Sequence, residues 1–282
     1  MMAVLTNVLM NKIGIILKRG SPSGKEVLDK LVPWLRQQHK EVVVIDIDEK
    51  ACSVQTDLVI VLGGDGTLLS AARSLEGSDT FILGVNLGSL GFLTEVILEE
   101  LYPSLEMIFE GQFVEDPRLM LKSFVLRRGN LHFQSTVLND VIIHKATPSR
   151  LIKLEITINQ QFVTSLRADG LIVASATGST AYSLSSGGPI VHPRVDAMVL
   201  TPISPHTLTH RPVVVPSTAK IEVALRTRTE GPVVTFDGHE ECSLHVDDVV
   251  CIQAAEKKLK LICSPHRNYY QVLRQKLKWG GE

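Results

Sequence analysis

Short apolar runs alternate with stretches of helical period along the first part of the chain. Residues 12–17 (KIGIIL) read as a strand ending in the loop Lys18-Arg19-Gly20-Ser21-Pro22-Ser23-Gly24. Over 25–38 the apolar Val27, Leu28, Leu31, Trp34 and Leu35 share one helical face, and Pro33 predicts a kink or strain there. Residues 41–47 (EVVVIDI), 57–62 (DLVIVL) and 81–85 (FILGV) read as further strands, and 98–110 as a helix containing Pro103. Strands alternating with helices at this spacing predict βαβ units on a parallel sheet of Rossmann type.

The pattern changes near residue 117. Helical spacing nearly vanishes, and short strands follow at 119–128, 131–145 (one long or bent strand), 150–158, 162–167, 171–175, 197–203, 213–215, 220–226, 233–236, 249–254 and 259–263. Such a run predicts an antiparallel β-sandwich-like domain. Helical spacing resumes over 266–278, where Tyr270, Val272, Leu273 and Leu277 lie on or near one face. The expected organisation is an α/β domain over 1–117, an all-β domain over 118–265, and a C-terminal helix, 266–282, that returns to the first domain.

A chain of 282 residues, 44% hydrophobic and 21% charged, suits two ordinary globular domains. Lys+Arg 29 against Asp+Glu 30 gives no sign of a polyanion-binding surface, so no nucleic-acid partner is expected. Cys52, Cys242, Cys251 and Cys263 form no C-x-x-C pair, which argues against a zinc knuckle, and they read as reduced thiols. Residues 1–11 lack the basic start and small-residue cleavage site of a secretion signal. No apolar run approaches the roughly 20 residues of a membrane helix. A cytoplasmic protein with no membrane partner is expected.

Two dense motifs carry candidate chemistry. Gly63-Gly64-Asp65-Gly66-Thr67 joins an apolar strand to a helix start. It reads either as a tight turn with Asp65 in water or as a phosphate cradle. In the cradle, glycine lets the main chain take unusual angles and approach a ligand, helix-start N–H groups favour an anion, and Thr67 caps the helix or contacts phosphate. Asp65 then takes a proton from a substrate hydroxyl or helps hold magnesium. The second motif, Thr177-Gly178-Ser179-Thr180-Ala181-Tyr182-Ser183-Leu184-Ser185-Ser186-Gly187-Gly188-Pro189, reads as a Ser/Gly loop or as a ligand bed. In the bed, small residues admit a flat ring or sugar and hydroxyls bond it.

Three weaker stretches stay open on their own residues. Asn86-Leu87-Gly88-Ser89-Leu90-Gly91-Phe92-Leu93-Thr94-Glu95 is either a buried turn or a cleft wall. Leu138-Asn139-Asp140-Val141 puts two short polar residues in an apolar strand, as a bulge or as ligand contacts. Arg167-Ala168-Asp169-Gly170 is either a β-turn or a carboxylate at a cleft mouth.

Taken together, the 63–67 turn, the Asn139-Asp140 pair and the 177–189 motif resemble the NAD kinases. Gly84-Val85-Asn86-Leu87-Gly88, Gly91-Phe92-Leu93, Ser204-Pro205-His206-Thr207-Leu208 and Arg211-Pro212 look like the same family. The resemblance covers nearly the whole chain. It implies phosphorylation of NAD at the 2′-hydroxyl of its adenosine ribose, with ATP, another nucleoside triphosphate or polyphosphate as donor. A divalent metal, magnesium by preference, is implied, as is a homodimer or homotetramer whose substrate contacts can cross between subunits.

By motif, Asp65 resembles the catalytic aspartate, and Gly64, Gly66 and Thr67 the donor-phosphate turn. Asn139 and Asp140 resemble the pair that contacts the nicotinamide ribose, although the family more often has glutamate at the second position. Thr180, Ala181 and Ser185 look like adenine and ribose contacts, and Tyr182 lines the pocket. Asp169 resembles the acid that meets the nicotinamide amide. Leu87 and Phe92 look like cleft walls. Arg167 and Arg211 are candidates to neutralise phosphate, and Ser204 and His239 complete the implied NAD contacts, His239 through the Asp237-Gly238-His239 hairpin. A lipid or sugar kinase that shares the Gly-Gly-Asp-Gly turn is one competing reading. A non-catalytic NAD(P)-binding regulator is another, and Asp65 argues against it.

Overall fold

The computed structural model describes residues 4–5, 10–18, 20–46, 55–145, 151–227 and 231–280. Arg19, Cys52 and the ends expected for two strands at Ile47 and Arg150 lie outside the described residues. The chain divides into two compact units, Met1–Pro117 with Leu259–Glu282, and Arg118–Lys258.

The first unit is built on a sheet in the order Glu41–Ile45, Lys12–Leu17, Leu58–Leu62, Phe81–Asn86, Leu259–Ile262 and Glu115–Arg118, with Val96–Ile97 beside Phe81–Asn86. Its neighbouring pairs from Glu41–Ile45 through Leu259–Ile262 are parallel. All five residues of Leu58–Leu62 are buried, as a strand covered on both faces requires. Ile13, Ile15, Ile60 and Leu83 pack with Leu31 and Leu35 of one helix and Leu101 and Leu105 of another.

The first helix, Pro22–Gln37, begins three residues before the apolar periodicity. Ser21 accepts the Gly24 N–H at its start, and Pro22 suits the first turn. The helix runs on through Pro33. In the third helical segment, Leu98–Glu100 is a 3-10 turn and Leu101–Phe109 is α-helical. Pro103 therefore falls in the first turn, where no intrahelical bond is lost.

Leu259–Ile262 corrects one boundary. The strand expected at 259–263 in the all-β run instead pairs in parallel with Phe81–Asn86, so the second unit ends at Lys258 rather than at 265. A four-residue apolar strand carries no mark of which sheet will take it. The last helix, Tyr269–Leu277, begins at Asn268, which shares reciprocal bonds with Gln271. Arg267 ties the segment before it to Glu100 at 2.6 and 2.7 Å.

The second unit is two antiparallel six-stranded sheets. One runs Asn130–Val137, Leu121–Arg127, Val249–Ala254, Ile221–Leu225, Ile152–Ile158, Gln161–Ala168. The other runs Val213–Pro216, Ala197–Ile203, Gly170–Ser175, Asp140–Lys145, Pro232–Phe236, Glu240–Ser243. Val125, Leu154, Val223 and Ile252 of the first share a core with Val141, Val173, Leu200 and Phe236 of the second. The single strand expected over 131–145 is two strands. The chain leaves one sheet after Val137 and enters the other at Asp140. A second crossing occurs at Asp169, between Gln161–Ala168 and Gly170–Ser175. That position is a sheet corner and not a hairpin turn, and at Gly170 a Cβ would overlap the Ile143 carbonyl.

Phe236 is fully buried and stacks on Phe133 with ring centroids 5.2 Å apart. Phe236→Ala is expected to cost about 3–5 kcal/mol, read as a lower urea midpoint at unchanged slope.

Candidate active site

In the first unit, the Gly63–Thr67 turn sits at the carboxyl end of the fully buried strand Leu58–Leu62, where ligands of parallel sheets bind. The helix Asp65–Ser74 starts with Gly64 as its cap, so Thr67 is the third helical residue and does not cap it. None of Gly63, Gly64 or Gly66 has positive φ, so the glycines are not needed for backbone angle. Gly63 is needed for packing, because a Cβ there would overlap the Thr67 side chain. Gly64 and Gly66 face open space. Asp65 and Gly66 open the helix, so their amide N–H groups have no acceptor within it.

The Asp65 side chain is not loose in water. Oδ2 accepts the Phe92 N–H at 2.8 Å, and Oδ1 accepts the Leu93 N–H at 3.0 Å and the Thr94 N–H and Oγ1–H at 3.1 Å each. Asn86 Nδ2 donates to Thr94 Oγ1 at 2.9 Å, which leaves the Thr94 proton to point at Asp65. A Cβ at Gly91 would overlap Asp65 Oδ1. The stretch 86–95 is thus a collar around one carboxylate. Oδ1 is fully engaged, whereas Oδ2 keeps an open lone pair. From the last helix, Lys276 Nζ donates to the Leu90 carbonyl at 2.9 Å and lies 5.8 Å from the Phe92 ring centroid. Phe92 therefore belongs to the collar by its backbone, while Leu87 packs against the core of this unit.

In the second unit, the crossing at Leu138-Asn139 is held by a residue that sequence reasoning treated only as part of a hairpin. Asp237 accepts the N–H groups of Leu138, Asn139 and Asp140 at 2.8, 2.8 and 3.0 Å. Ser175 Oγ donates to the Leu138 carbonyl at 2.5 Å, and a Cβ at Gly178 would overlap the Asn139 backbone. The Asn139 backbone is thereby packed against the Thr177–Thr180 turn. Asp140 is 4% exposed. Its burial, and then the Asp237 charge, push its carboxyl up to about 7.

The hydroxyls of the 177–189 motif divide into two sets. Ser179 Oγ donates to the Ala176 carbonyl at 2.6 Å, and Ser183 Oγ bonds Thr201 Oγ1 at 2.8 Å, so both serve the fold. Thr180 and Ala181 are half-buried, and Tyr182 and Ser185 are exposed. His239 is also exposed, and it is Asp237 of that hairpin that reaches the crossing.

Asp169 is not brought together with Asp140. Lys145 Nζ pairs with Asp169 Oδ1 at 2.5 Å, and the Lys145 N–H donates to the Asp169 carbonyl at 3.1 Å. Asp140 lies opposite Ala174, so the two aspartates sit at opposite ends of paired strands, roughly 17 Å apart at about 3.4 Å per residue. Arg167 and Ser204 share the Asp169 end, through the bonds of His206 N–H to the Arg167 carbonyl and of Asp169 N–H to the Ile203 carbonyl. Arg167, Ser204 and Arg211 are exposed.

Residues missed by sequence reasoning are Asp237, Thr94 and Gly91. The last two stood in a stretch already singled out for its glycines. Asp237 carried no signal, because Asp-Gly before a short strand reads as an ordinary hairpin turn.

Comparison with known proteins finds two family domains in order along the chain. Residues 36–113 match the family model of the ATP-NAD kinase N-terminal domain, and residues 138–264 that of the ATP-NAD kinase C-terminal domain. The NAD kinase of Syntrophotalea carbinolica is 44% identical over 283 residues, covering 96% of this chain and 99% of that one. The NAD kinase of Magnetococcus marinus is 41% identical over 285 residues, covering 96% and 94%. The crystal structure of yeast NADH kinase complexed with NADH superposes with a TM-score of 0.88 at 25% identity, covering 98% of this chain and 90% of that one. With both family domains matched in order and relatives alike over nearly its whole length, the chain belongs to the ATP-NAD kinase family.

Proposed function

We propose that the chain transfers the γ-phosphoryl group of ATP, another nucleoside triphosphate or polyphosphate to the 2′-hydroxyl of the adenosine ribose of NAD, giving NADP. The observation that carries this is Asp65, a carboxylate held rigid by four hydrogen bonds with one lone pair open on Oδ2. A ribose hydroxyl becomes an effective nucleophile when it is aligned with the phosphorus and relieved of its proton. Oδ2 takes that proton. The amide groups of Asp65 and Gly66, open at the helix start, receive donor-phosphate oxygens, and Gly64 and Gly66 leave room for them.

Helix-start N–H groups repel a cation, so a magnesium ion, which keeps most of its waters, would be held here chiefly by the donor's phosphate oxygens. Such an ion would supply charge neutralisation on the phosphates and leave the open Oδ2 lone pair of Asp65 to the hydroxyl proton. In the second unit, Asn139 and Asp140 receive the nicotinamide ribose, and Thr180, Ala181, Tyr182 and Ser185 receive adenine and its ribose.

A nicotinamide riboside is too short to touch Asp140 and Asp169 of the same chain at the separation set by the strand register. That supports a homo-oligomer, dimer or tetramer, in which Arg167 and Asp169 serve a second copy. Exposed Phe162 and Val163, on the edge strand that carries Arg167, give such a copy an apolar surface. Burial pushes the Cys242 thiol up and the Cys251 thiol to about 11, so both are poor nucleophiles, in keeping with thiols that stay reduced in a cytoplasmic protein.

Asp65→Asn is expected to lower kcat at least about a hundredfold, in an endpoint assay that reads NADP with an NADP-specific dehydrogenase. Because Asn would also turn an N–H₂ toward the collar, Thr94→Val is the control. It removes the hydroxyl's bonds to Asp65 and Asn86 but keeps the three N–H groups on the carboxylate, and should cost only about tenfold, with Thr94→Ser restoring the rate. Equal losses in Asp65→Asn and Thr94→Val would reduce Asp65 to a structural role. Mixing Asp140→Ala with Asp169→Ala protein is expected to restore activity that neither shows alone. Mixtures as inactive as their parts, under conditions where labelled subunits exchange, would confine the site to one chain.

A further inference from the structure

At the sheet crossing two buried carboxylates are neighbours in unequal circumstances, with Asp237 Oδ1 accepting the Asp140 N–H at 3.0 Å. Asp237, 7% exposed, takes three backbone N–H groups. Asp140, 4% exposed, meets no hydrogen-bond donor at its carboxyl among the described residues. Among the described residues, the elements packed against Asp140 offer it no positive partner. Ala174 lies opposite on one neighbouring strand, and Val141, the next residue, lies opposite Phe236 on the other. From the adjoining turn, Arg118 Nη1 is directed at Thr177 Oγ1 at 3.4 Å. From the hairpin, Glu240 accepts from Ser135 Oγ at 2.6 Å. Two neighbouring carboxylates, both nine-tenths buried, do not both ionise readily, and the one without donors keeps the proton.

We infer that Asp140 carries a proton in the substrate-free protein and gives it up when the NAD ribose binds, with Asp237 as the positioning residue that shapes the turn and sets how tightly that proton is held. The step balances simply. The carboxyl O–H bond of Asp140 breaks, its proton passes to solvent, and the ribose hydroxyls donate to the resulting carboxylate with their own O–H bonds intact. The incoming hydroxyls supply the donors that the surrounding residues do not, which is why the charged form becomes acceptable only with substrate present. This rests on the reading that Asp140 receives the nicotinamide ribose.

The direction of the pH effect follows. Burial and Asp237 place the Asp140 carboxyl near 7 in the folded protein, above its ordinary value of 3.8. NAD binding therefore tightens as pH rises toward about 7, by up to tenfold per unit, and is flat above it. Stability of the substrate-free protein runs the other way. The contribution of this group is complete below its ordinary value and is lost as pH rises through about 7.

The test is titration calorimetry of NAD into the intact protein, in pairs of buffers with different ionisation enthalpies. NAD has no group that titrates near neutrality. Release approaching one proton per site is expected near about pH 6, and none near about pH 8.5. Asp140→Asn should abolish the release, bind NAD at least about tenfold more weakly, and melt higher than the native chain at about pH 8 but not at about pH 4. Asp237→Asn should raise KM for NAD about tenfold with a smaller change in kcat, and reduce proton release near about pH 6.5. A merely structural Asp237 would lower the melting temperature and leave the proton count unchanged.

Equal heats in both buffers at low pH overturn the inference even if Asp140→Asn weakens NAD, and the ribose reading then stands alone. Native affinity in Asp140→Asn overturns the ribose reading itself, and this inference with it.

Discussion

Backbone N–H groups that leave a sheet or a helix must find an acceptor, and both units of this protein depend on an aspartate to supply it. In the first unit the chain beyond Phe81–Asn86 folds back at 91–94, and Asp65 gathers the N–H groups of Phe92, Leu93 and Thr94. In the second unit the chain changes sheets at Leu138-Asn139, and Asp237 gathers the N–H groups of Leu138, Asn139 and Asp140. Either carboxylate, if removed, strands several polar groups at once, each at a cost of about 1–3 kcal/mol when buried. Residues proposed to meet substrate are thus either the acceptor itself, as with Asp65, or the next side chains along the segment it holds, as with Asn139 and Asp140.

This arrangement explains a division among the small residues. Gly63, Gly91, Gly170 and Gly178 lack room for a side chain because other atoms of the protein lie against them. A Cβ at Gly64 or Gly66 would meet nothing within 4 Å, so that space is available to a ligand. The same split runs through the hydroxyls, where Ser179 and Ser183 close the motif onto the fold and Ser185 stands outside it. A motif dense in glycine and serine therefore contains two populations, and only contacts distinguish them.

The C-terminal segment has a similar double role. Leu259–Ile262 extends the parallel sheet, Arg267 binds Glu100 in a bidentate pair, and Lys276 bonds the Leu90 carbonyl beside the collar. The pair holds Glu100 below the usual carboxylate range against the burial that would raise it. The last helix is thereby fastened to the loop that positions Asp65, although nearly two hundred residues separate them in the chain.

Strand and helix alternation over 12–110, the switch to short strands after 117, and the position of Gly63–Thr67 at a strand-to-helix turn followed from local periodicity and turn chemistry, because those signals act within a few residues. The NAD kinase motifs were legible for the same reason. Tertiary structure decided the rest. It sent 259–262 to the parallel sheet, divided 131–145 between two sheets, and made Asp169 a corner instead of a turn. It also revealed Asp237 as the residue that holds Asn139 and Asp140, across a separation of about a hundred positions. Finally, the strand register set Asp140 and Asp169 apart. Each of these outcomes depends on which backbone group meets which partner over long distances, and a run of apolar residues or a lone aspartate carries no record of that choice.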